Sequence, residues 1–410
     1  MTIKVSTDQS PIVAREGAAA IASARRAALA DRYAADSLIV EWLDLAQLDS
    51  IADAWHALAA RALEPNVFYE PSFTLAAAPV FGTGAGALLV WSGVHPRKLL
   101  GFFPARIETR RYGFRLPVLV GFTHAYGPLG VPLAEREAAG PVIAAVLGRL
   151  AADPSLPGLL LLPFLRMDGP FAAALDTILR QAQLPAADFN RRSRALLKPD
   201  REREDYLANA LSSHKHKELR RLSRRLADKG ALLFAVATEP AAVAAALTDF
   251  LALEADGWKG RAGTAAAHDD DLCRFVRSGA AALAAENKIA IHRVLLDGRA
   301  VAAAIVLRSG RSVWFWKIAH DEALAHFSPG VMLTAAITEE LVADETIAEC
   351  DSCAAEDHPM IGRIWRERLT LAERLIAVRP QVPFSHVRRL EALRAAAIAT
   401  AKNVRDYLRR

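Results

Sequence analysis

The run Ile289-Ala-Ile-His-Arg-Val-Leu-Leu-Asp-Gly-Arg-Ala-Val-Ala-Ala-Ala-Ile-Val-Leu-Arg-Ser-Gly-Arg-Ser-Val-Trp-Phe-Trp-Lys-Ile-Ala-His320 decides the fold. It holds three strand-like segments, Ile289–Leu296, Ala300–Arg308 and Ser312–His320. Asp297-Gly298-Arg299 and Ser309-Gly310-Arg311 separate them, each with Gly where a tight hairpin demands positive φ. A Pro-Gly-opened helix, Pro329–Ala343, follows. Then come a strand at Thr346–Asp351, a helix at His358–Glu367 and a last strand at Thr370–Val378. A meander that feeds a helix and a further strand predicts a mixed α/β sheet, antiparallel first and parallel at the crossover.

Outward from this block, the first half repeats the same order more faintly. It offers the strand Leu38–Leu45, the helix Ser50–Leu63 and a helix opened by Pro71. A hairpin of Ala87–Trp91 and Leu99–Thr109 comes next, then Pro117–Phe122, the loop His124–Gly130 and the helix Leu133–Leu150. Gly158–Pro163, the helix Gly169–Gln181 and Asp188–Leu197 complete it. With no short period, this predicts a duplicated domain and not a solenoid. At 410 residues the chain suits two domains. The expected divisions are an N-terminal extension over 1–35, a degenerate first domain over 36–198, a second over 199–382 and a C-terminal helix over 383–410. The charged stretch Lys198–Glu204 marks the boundary. Helices Asp205–Leu211, Ser212–Lys229, Pro240–Trp258 and Asp269–Glu286, with the strand Ala231–Ala237, lead into the meander.

Composition excludes several classes. With 52% apolar and 24% charged residues the chain is globular. Three cysteines make no disulfide framework and indicate a reducing compartment. Met1–Pro11 shows no signal peptide, and the apolar run Leu156–Leu165 is broken by two prolines and too short for a membrane span. The expectation is a cytoplasmic protein. The net charge of +5 permits anionic partners.

Four segments carry candidate chemistry. Alternation places Val313, Phe315 and Lys317 on one face of the third meander strand and Trp314, Trp316 and Ile318 on the other. Each aromatic alone reads as core. If the neighbouring strand splays away, Lys317, Ile318, Ala319 and His320 offer unpaired backbone to a ligand. Ser328 reads as the N-cap of the next helix with Pro329 in its first turn. Amides at Gly330, Val331 and Met332, beside Phe327, would then face an anion favoured by the helix dipole. Gly257-Trp-Lys-Gly-Arg-Ala-Gly263 forms a basic loop whose Trp258, Lys259 and Arg261, with Glu254 one turn earlier, suit a substrate or phosphate. Read plainly it is a capped helix end and a solvated loop. Asp351, Cys353, Glu356, Asp357 and His358 gather at a strand's carboxyl end. Cys350 and Cys353 lack further ligands at zinc spacing, so no metal is expected. The basic helix Ser212–Lys229 sets seven cations against two carboxylates over a Leu219, Leu222, Leu226 stripe. It reads first as a solvated face and second as a site for RNA, membrane or another anionic polymer. It has no aromatic for base stacking.

The order of elements resembles the GNAT acyltransferase core, twice in tandem. Ser212-Ser-His-Lys-His-Lys-Glu-Leu-Arg-Arg-Leu, Leu253–Thr264, Phe327-Ser-Pro-Gly330 and Asp351–Trp365 look closest to acetyltransferase-like proteins of cellulose and exopolysaccharide biosynthesis, related to the Fem aminoacyltransferases. The family's pyrophosphate loop, Arg/Gln-x-x-Gly-x-Gly/Ala, meets His326-Phe-Ser-Pro-Gly-Val331 here, which lacks its first and last residues. Met360–Glu367 also lacks the Tyr that often serves as acid. The resemblance implies an acyl-CoA donor, acetyl-CoA or a longer one, and an amine acceptor on a small molecule or saccharide. Asp351 or His358 would act as base, and Cys353 or water would protonate the thiolate. Two rivals are a Fem-like transferase with aminoacyl-tRNA on Lys215–Arg225, and a non-catalytic scaffold in polysaccharide assembly.

Overall fold

The computed structural model describes residues 38–199, 206–210, 212–356 and 358–408, so the expected extension over 1–35 and most of the Lys198–Glu204 boundary lie outside it. In the first half, β1 (Leu38–Asp44) leads through a short 3-10 segment into α1 (Ala52–Arg61) and α2 (Pro71–Phe81). The hairpin β2 (Ala85–Ser92) and β3 (Leu99–Glu108), then β4 (Val118–Gly121), β5 (Leu133–Ala134) and α3 (Ala139–Ala152), follow. The half ends with β6 (Leu159–Arg166), α4 (Pro170–Ala182) and β7 (Ala186–Leu197). The second half opens with α5 (Tyr206–Ala210), α6 (Ser213–Ala227), β8 (Leu232–Ala237), α7 (Pro240–Asp256), the single turn α8 (Trp258–Arg261) and α9 (Asp270–Ala285). The meander is β9 (Ile289–Leu296), β10 (Arg299–Ser309) and β11 (Ser312–His320). After it come α10 (Pro329–Ala343), β12 (Glu349–Asp351), α11 (Ile361–Ile364), β13 (Glu367–Ala377) and α12 (Phe384–Leu408).

One mixed sheet runs through both halves in the order β1-β2-β3-β4-β6-β13-β7-β12-β11-β10-β9-β8, with β5 paired on β3. The two halves exchange strands at its centre. β13, the last strand of the second half, lies between β6 and β7, while β7, the last strand of the first, pairs with β12. The chain passes from one half to the other near 198, yet neither half is complete in space without the other's final strand.

Local chemistry explains most elements. Asp297 and Gly298 both take positive φ, 49° and 79°, which closes β9 on β10 with a hairpin turn of native twist. Three departures from the expected elements have physical causes. Leu133–Ala134 pair with Phe102 and Gly101 on β3, so the helix foreseen from Leu133 starts at Ala139. Asp344 accepts the Thr346 amide at 2.8 Å, and this turn delays β12 to Glu349. The helix foreseen over His358–Glu367 shrinks to four residues because Trp365 is drawn extended into the core. There its indole donates to Thr338 at 2.9 Å and meets Phe315 edge-on at 5.8 Å.

The larger core spans both halves: Phe68, Phe73 and Trp55 of the first pack in it with Phe275 and Trp314 of the second. Phe73 lies edge-on to Phe275 at 5.5 Å, so α2 and α9 are joined by aromatic contact.

Candidate active site

β11 pairs with β12 only over Ser312↔Glu349, Val313↔Cys350 and Trp314↔Asp351. Beyond Trp314, β11 continues to His320 on β10 alone, and the sheet opens on its other side. The chain leaves β12 sharply, with Cys353 at φ 51°. Asp351 sets that turn. One carboxylate oxygen accepts the Cys353 amide at 2.9 Å and the other accepts Arg194 of β7, also at 2.9 Å. Arg194 donates further to the Pro128 carbonyl at 3.1 Å. Both charges are buried and fully engaged, so this pair props the opening apart.

The opening is a cleft of about 540 Å³. Lys317, Ile318 and His320 line it from β11, Ser328, Gly330 and Val331 from the start of α10, and Ser352–Ala354 with His358–Ile361 from the opposite side. Trp258 and Lys259 stand at its rim. Of the other expected site residues, Ala319 is buried in the core. Phe327 and Met332 pack with Leu222 and Leu226 under α6, away from the cleft. Arg261 pairs with Glu322 outside it.

The start of α10 corrects one expectation. Ser328 takes a left-handed conformation, φ 57° and ψ 47°, and its side chain makes no cap hydrogen bond. Its carbonyl accepts the amides of Val331 and Met332 at 3.0 and 3.1 Å. Those two donors are therefore engaged, which leaves the Gly330 amide, on a residue that lines the cleft, as the one of the three outside these bonds. Pro329 does open the helix.

Alternation along β11 also breaks. The register shifts between Ile305 and Val306, so Lys317 opposes Ile305 and Phe315 opposes Val306, with Trp316 left over as a bulge. A bulge re-aims side chains beside an opening. Here it turns both Trp316 and Lys317 toward Tyr126, in the first half's loop between β4 and β5. The Trp316 indole donates to the Tyr126 carbonyl at 2.8 Å, and Lys317 Nζ lies 3.9 Å from the Tyr126 ring centre. Sequence reading missed Tyr126 because it belongs to the other half. Its only local signal is a Gly- and Pro-rich loop after a strand.

Electrostatics single out Lys317. Burial, then the Lys259 charge, lower its pKa to about 8, against the opposing pull of Glu254. Glu254 is itself buried, with Lys259 Nζ at 2.7 Å, the Ala266 amide at 3.0 Å and Lys317 Nζ at 3.8 Å. Burial alone would raise the Glu254 pKa, but Lys317 and Lys259 hold the carboxyl below its ordinary range. The loop that carries Lys259 approaches α7 so closely that a Cβ on Gly260 would stand 1.6 Å from the Ala255 carbonyl. Cys353 is pushed well up by burial and by Asp351, so it stays a thiol. His358 Nδ1 accepts the amides of Met360 and Ile361 at 3.4 Å each, which places the proton of the neutral ring on Nε2. Among the described residues no group of three or more His, Cys, Asp or Glu is placed to hold a metal. None of the described helices is long and apolar enough to cross a membrane.

The corresponding gap of the first half is filled. β4 pairs with β6 only at Leu119↔Leu160 and Val120↔Leu161. The loop beyond β4 closes the space past this short pairing, with the Gly130 amide on the Phe164 carbonyl at 3.1 Å and Asn66 donating to the Val131 carbonyl at 2.9 Å. A void of about 10 Å³ remains.

A mixed sheet that opens after its fourth strand, beside the N-terminus of the following helix, defines the GNAT acyltransferase fold, here present twice in tandem. Residues 213–358 match the family model described as Acetyltransferase (GNAT) domain, which marks the chain as a transferase. No curated protein matches it. FemX is similar in structure, with a TM-score of 0.53 at 9% identity over 80% of this chain and 95% of that one. So is the C-terminal domain of a protein described as a lysylphosphatidylglycerol synthetase from Agrobacterium fabrum. Its TM-score is 0.51 at 13% identity, over 85% of this chain and 96% of that one.

Proposed function

We propose that the chain is an acyl-CoA-dependent N-acyltransferase whose second half seats the thioester in the cleft between β11 and β12. The observation that carries this reading is the divergence of the two strands after Trp314 beside the α10 N-terminus. A pantetheine arm would lie along the unpaired edge of β11, with its pyrophosphate toward the Gly330 amide and the positive end of α10. The acceptor amine, on a small molecule or saccharide, would enter past Trp258 and Lys259. Its nitrogen attacks the thioester carbonyl, a C–N bond forms and the C–S bond breaks.

Lys317 is the base this geometry favours. The residue lines the cleft, and its amine is neutral in a substantial fraction near pH 8. It takes the acceptor's proton in place of Asp351, whose oxygens are committed to Arg194 and the Cys353 amide. The Cys353 thiol or His358 Nε2–H returns a proton to the departing thiolate. The filled gap of the first half leaves that domain to shape the cleft through Tyr126.

Calorimetry with acetyl-CoA tests the donor. Wild type binds, Gly330→Ala binds nearly as well because its Cβ would meet only ordinary contacts at 3.5 Å or more, and Gly330→Asp loses at least about tenfold. If wild type binds no acyl-CoA of any chain length, or Gly330→Asp binds equally, the donor assignment is wrong. Tight, salt-sensitive binding of aminoacyl-tRNA in its place would favour the Fem-like reading. A scaffold without catalysis predicts no CoA release with any acceptor.

A further inference from the structure

A second surface of the molecule has no role in the cleft. Along α6, Lys215, Lys217, Arg220, Arg224, Arg225 and the adjoining Lys229 are exposed, and none has a carboxylate partner among the described residues. Arg221 alone is neutralised, by Glu218. The apolar stripe of this helix is spent inward, since Leu222 and Leu226 pack with Phe327 and Met332. The helix therefore presents charge to solvent with no hydrophobic face of its own.

The apolar complement lies on the next element. β8 is the terminal strand of the sheet and pairs with β9 alone, so its outer edge carries unpaired backbone groups. Edge strands are ordinarily guarded by charge, proline or a bulge. β8 reads Leu-Leu-Phe-Ala-Val-Ala and has none of these. Leu233, Phe234 and Val236 are 58, 44 and 49% exposed. Leu232 packs in the cluster beneath α6, and alternation sets Phe234 and Val236 on that same face, opposite Val294 and His292 of β9. Exposed apolar side chains thus border an unpaired cationic helix on one face of the sheet's end.

We infer that α6 and β8 together form a docking surface for an anionic lipid membrane. The charge pattern selects this partner over RNA. α6 has no aromatic to stack on bases, whereas a leaflet offers both halves of the match: acidic headgroups for the cations and an acyl boundary for Phe234 and Val236. Neither half suffices alone. Two apolar side chains bury little area, and six screened cations bind reversibly, so the attachment is peripheral and sensitive to salt. The inference stands apart from the acyl-transfer reading, because none of its residues lines the cleft.

The experiment is co-sedimentation of the full chain with two kinds of vesicle, phosphatidylcholine alone and phosphatidylcholine mixed with phosphatidylglycerol. The protein should pellet with the anionic vesicles only, and release as salt rises. Arg220→Glu with Arg224→Glu should weaken this at least about tenfold, at an unchanged thermal midpoint. Phe234→Ser, which leaves the charges in place, should weaken it and leave the salt dependence as it was. The inference is overturned by equal pelleting with both vesicles, by charge-reversed protein that pellets like wild type, or by single-stranded RNA binding through α6 without any vesicle binding. Acetyl-CoA affinity, measured in parallel, should be indifferent to all these variants, so failure here is distinct from failure of the donor assignment.

Discussion

At the residue scale, Lys317 ties stability to the proposed chemistry. A buried amine with folded pKa near 8 against an ordinary 10.5 destabilises the fold while it is charged. Below pH 8 both folded and unfolded chains hold the proton, and the whole cost is present. Between 8 and 10.5 the unfolded chain binds the proton and the folded one has lost it, so stability rises with pH across that window. The size of the effect is on the order of 3 kcal/mol. Lys317→Met, close in shape and without charge, should raise the melting temperature at pH 7 and flatten the alkaline rise, while acyl transfer falls at least about a hundredfold. Thermal melts across pH, paired with initial rates, decide it. A variant that melts lower, or one that transfers at the wild-type rate, removes Lys317 from the mechanism. The wild-type rate itself should climb with pH to a plateau above 8. The sequence placed Lys317 at the site through its backbone. It could not show the amine's burial, because that depends on Tyr126 and Glu254, 191 and 63 positions away along the chain.

At the element scale, legibility followed the range of the forces involved. The turns at Gly298 and Gly310 and the Pro-opened helix were readable because φ preference is local. The bulge at Trp316 was not, since a misfit between two strands has no signature in either alone. The cap of α10 falls between these cases. A serine before proline at a helix start suggests a side-chain cap, yet Ser328 sits left-handed, with its carbonyl as the acceptor for Val331 and Met332. Two substitutions separate the two arrangements. A side-chain cap would make Ser328→Ala cost about 1 kcal/mol and leave Ser328→Gly nearly neutral. With a left-handed backbone and no cap bond, Ser328→Ala should change stability by only a few tenths of a kcal/mol, while Ser328→Gly should gain roughly 0.5–1 kcal/mol by relieving the Cβ clash. Denaturant titration resolves the difference: the expected result is Ser328→Ala close to wild type and Ser328→Gly more stable than wild type, whereas a side-chain cap would put Ser328→Ala about 1 kcal/mol below wild type and Ser328→Gly level with it.

At the scale of the whole molecule, strand exchange makes the two domains interdependent although their elements appear in sequence as separate copies. Duplication was legible because each half repeats helices, meander, helix and strand. The exchange was not, because β7 and β13 have the same apolar pattern whichever half they serve. β13 pairs with β6 over Leu159–Arg166 and with β7 over Ala186–Leu196, so its removal strips a central strand from the first half and opens two edges at once. Contacts elsewhere reinforce the union: Arg166 of β6 forms an ion pair with Glu349 of β12, and Phe73 meets Phe275 across α2 and α9. A fragment of residues 38–199 should therefore fail to fold alone, as should one of 206–408, each left with a long apolar strand edge that promotes aggregation. Expressed together as separate chains they should combine into a soluble complex, since the pairings that join the halves run within residues 159–197 and 349–377. Size-exclusion chromatography of the single and paired fragments measures this. A monomeric, cooperatively melting fragment of the second half on its own would mean that β7 is dispensable to it and that the cleft can form without the first half. That outcome would also detach Tyr126 from Lys317, and the amine's pKa should then return toward 10.5.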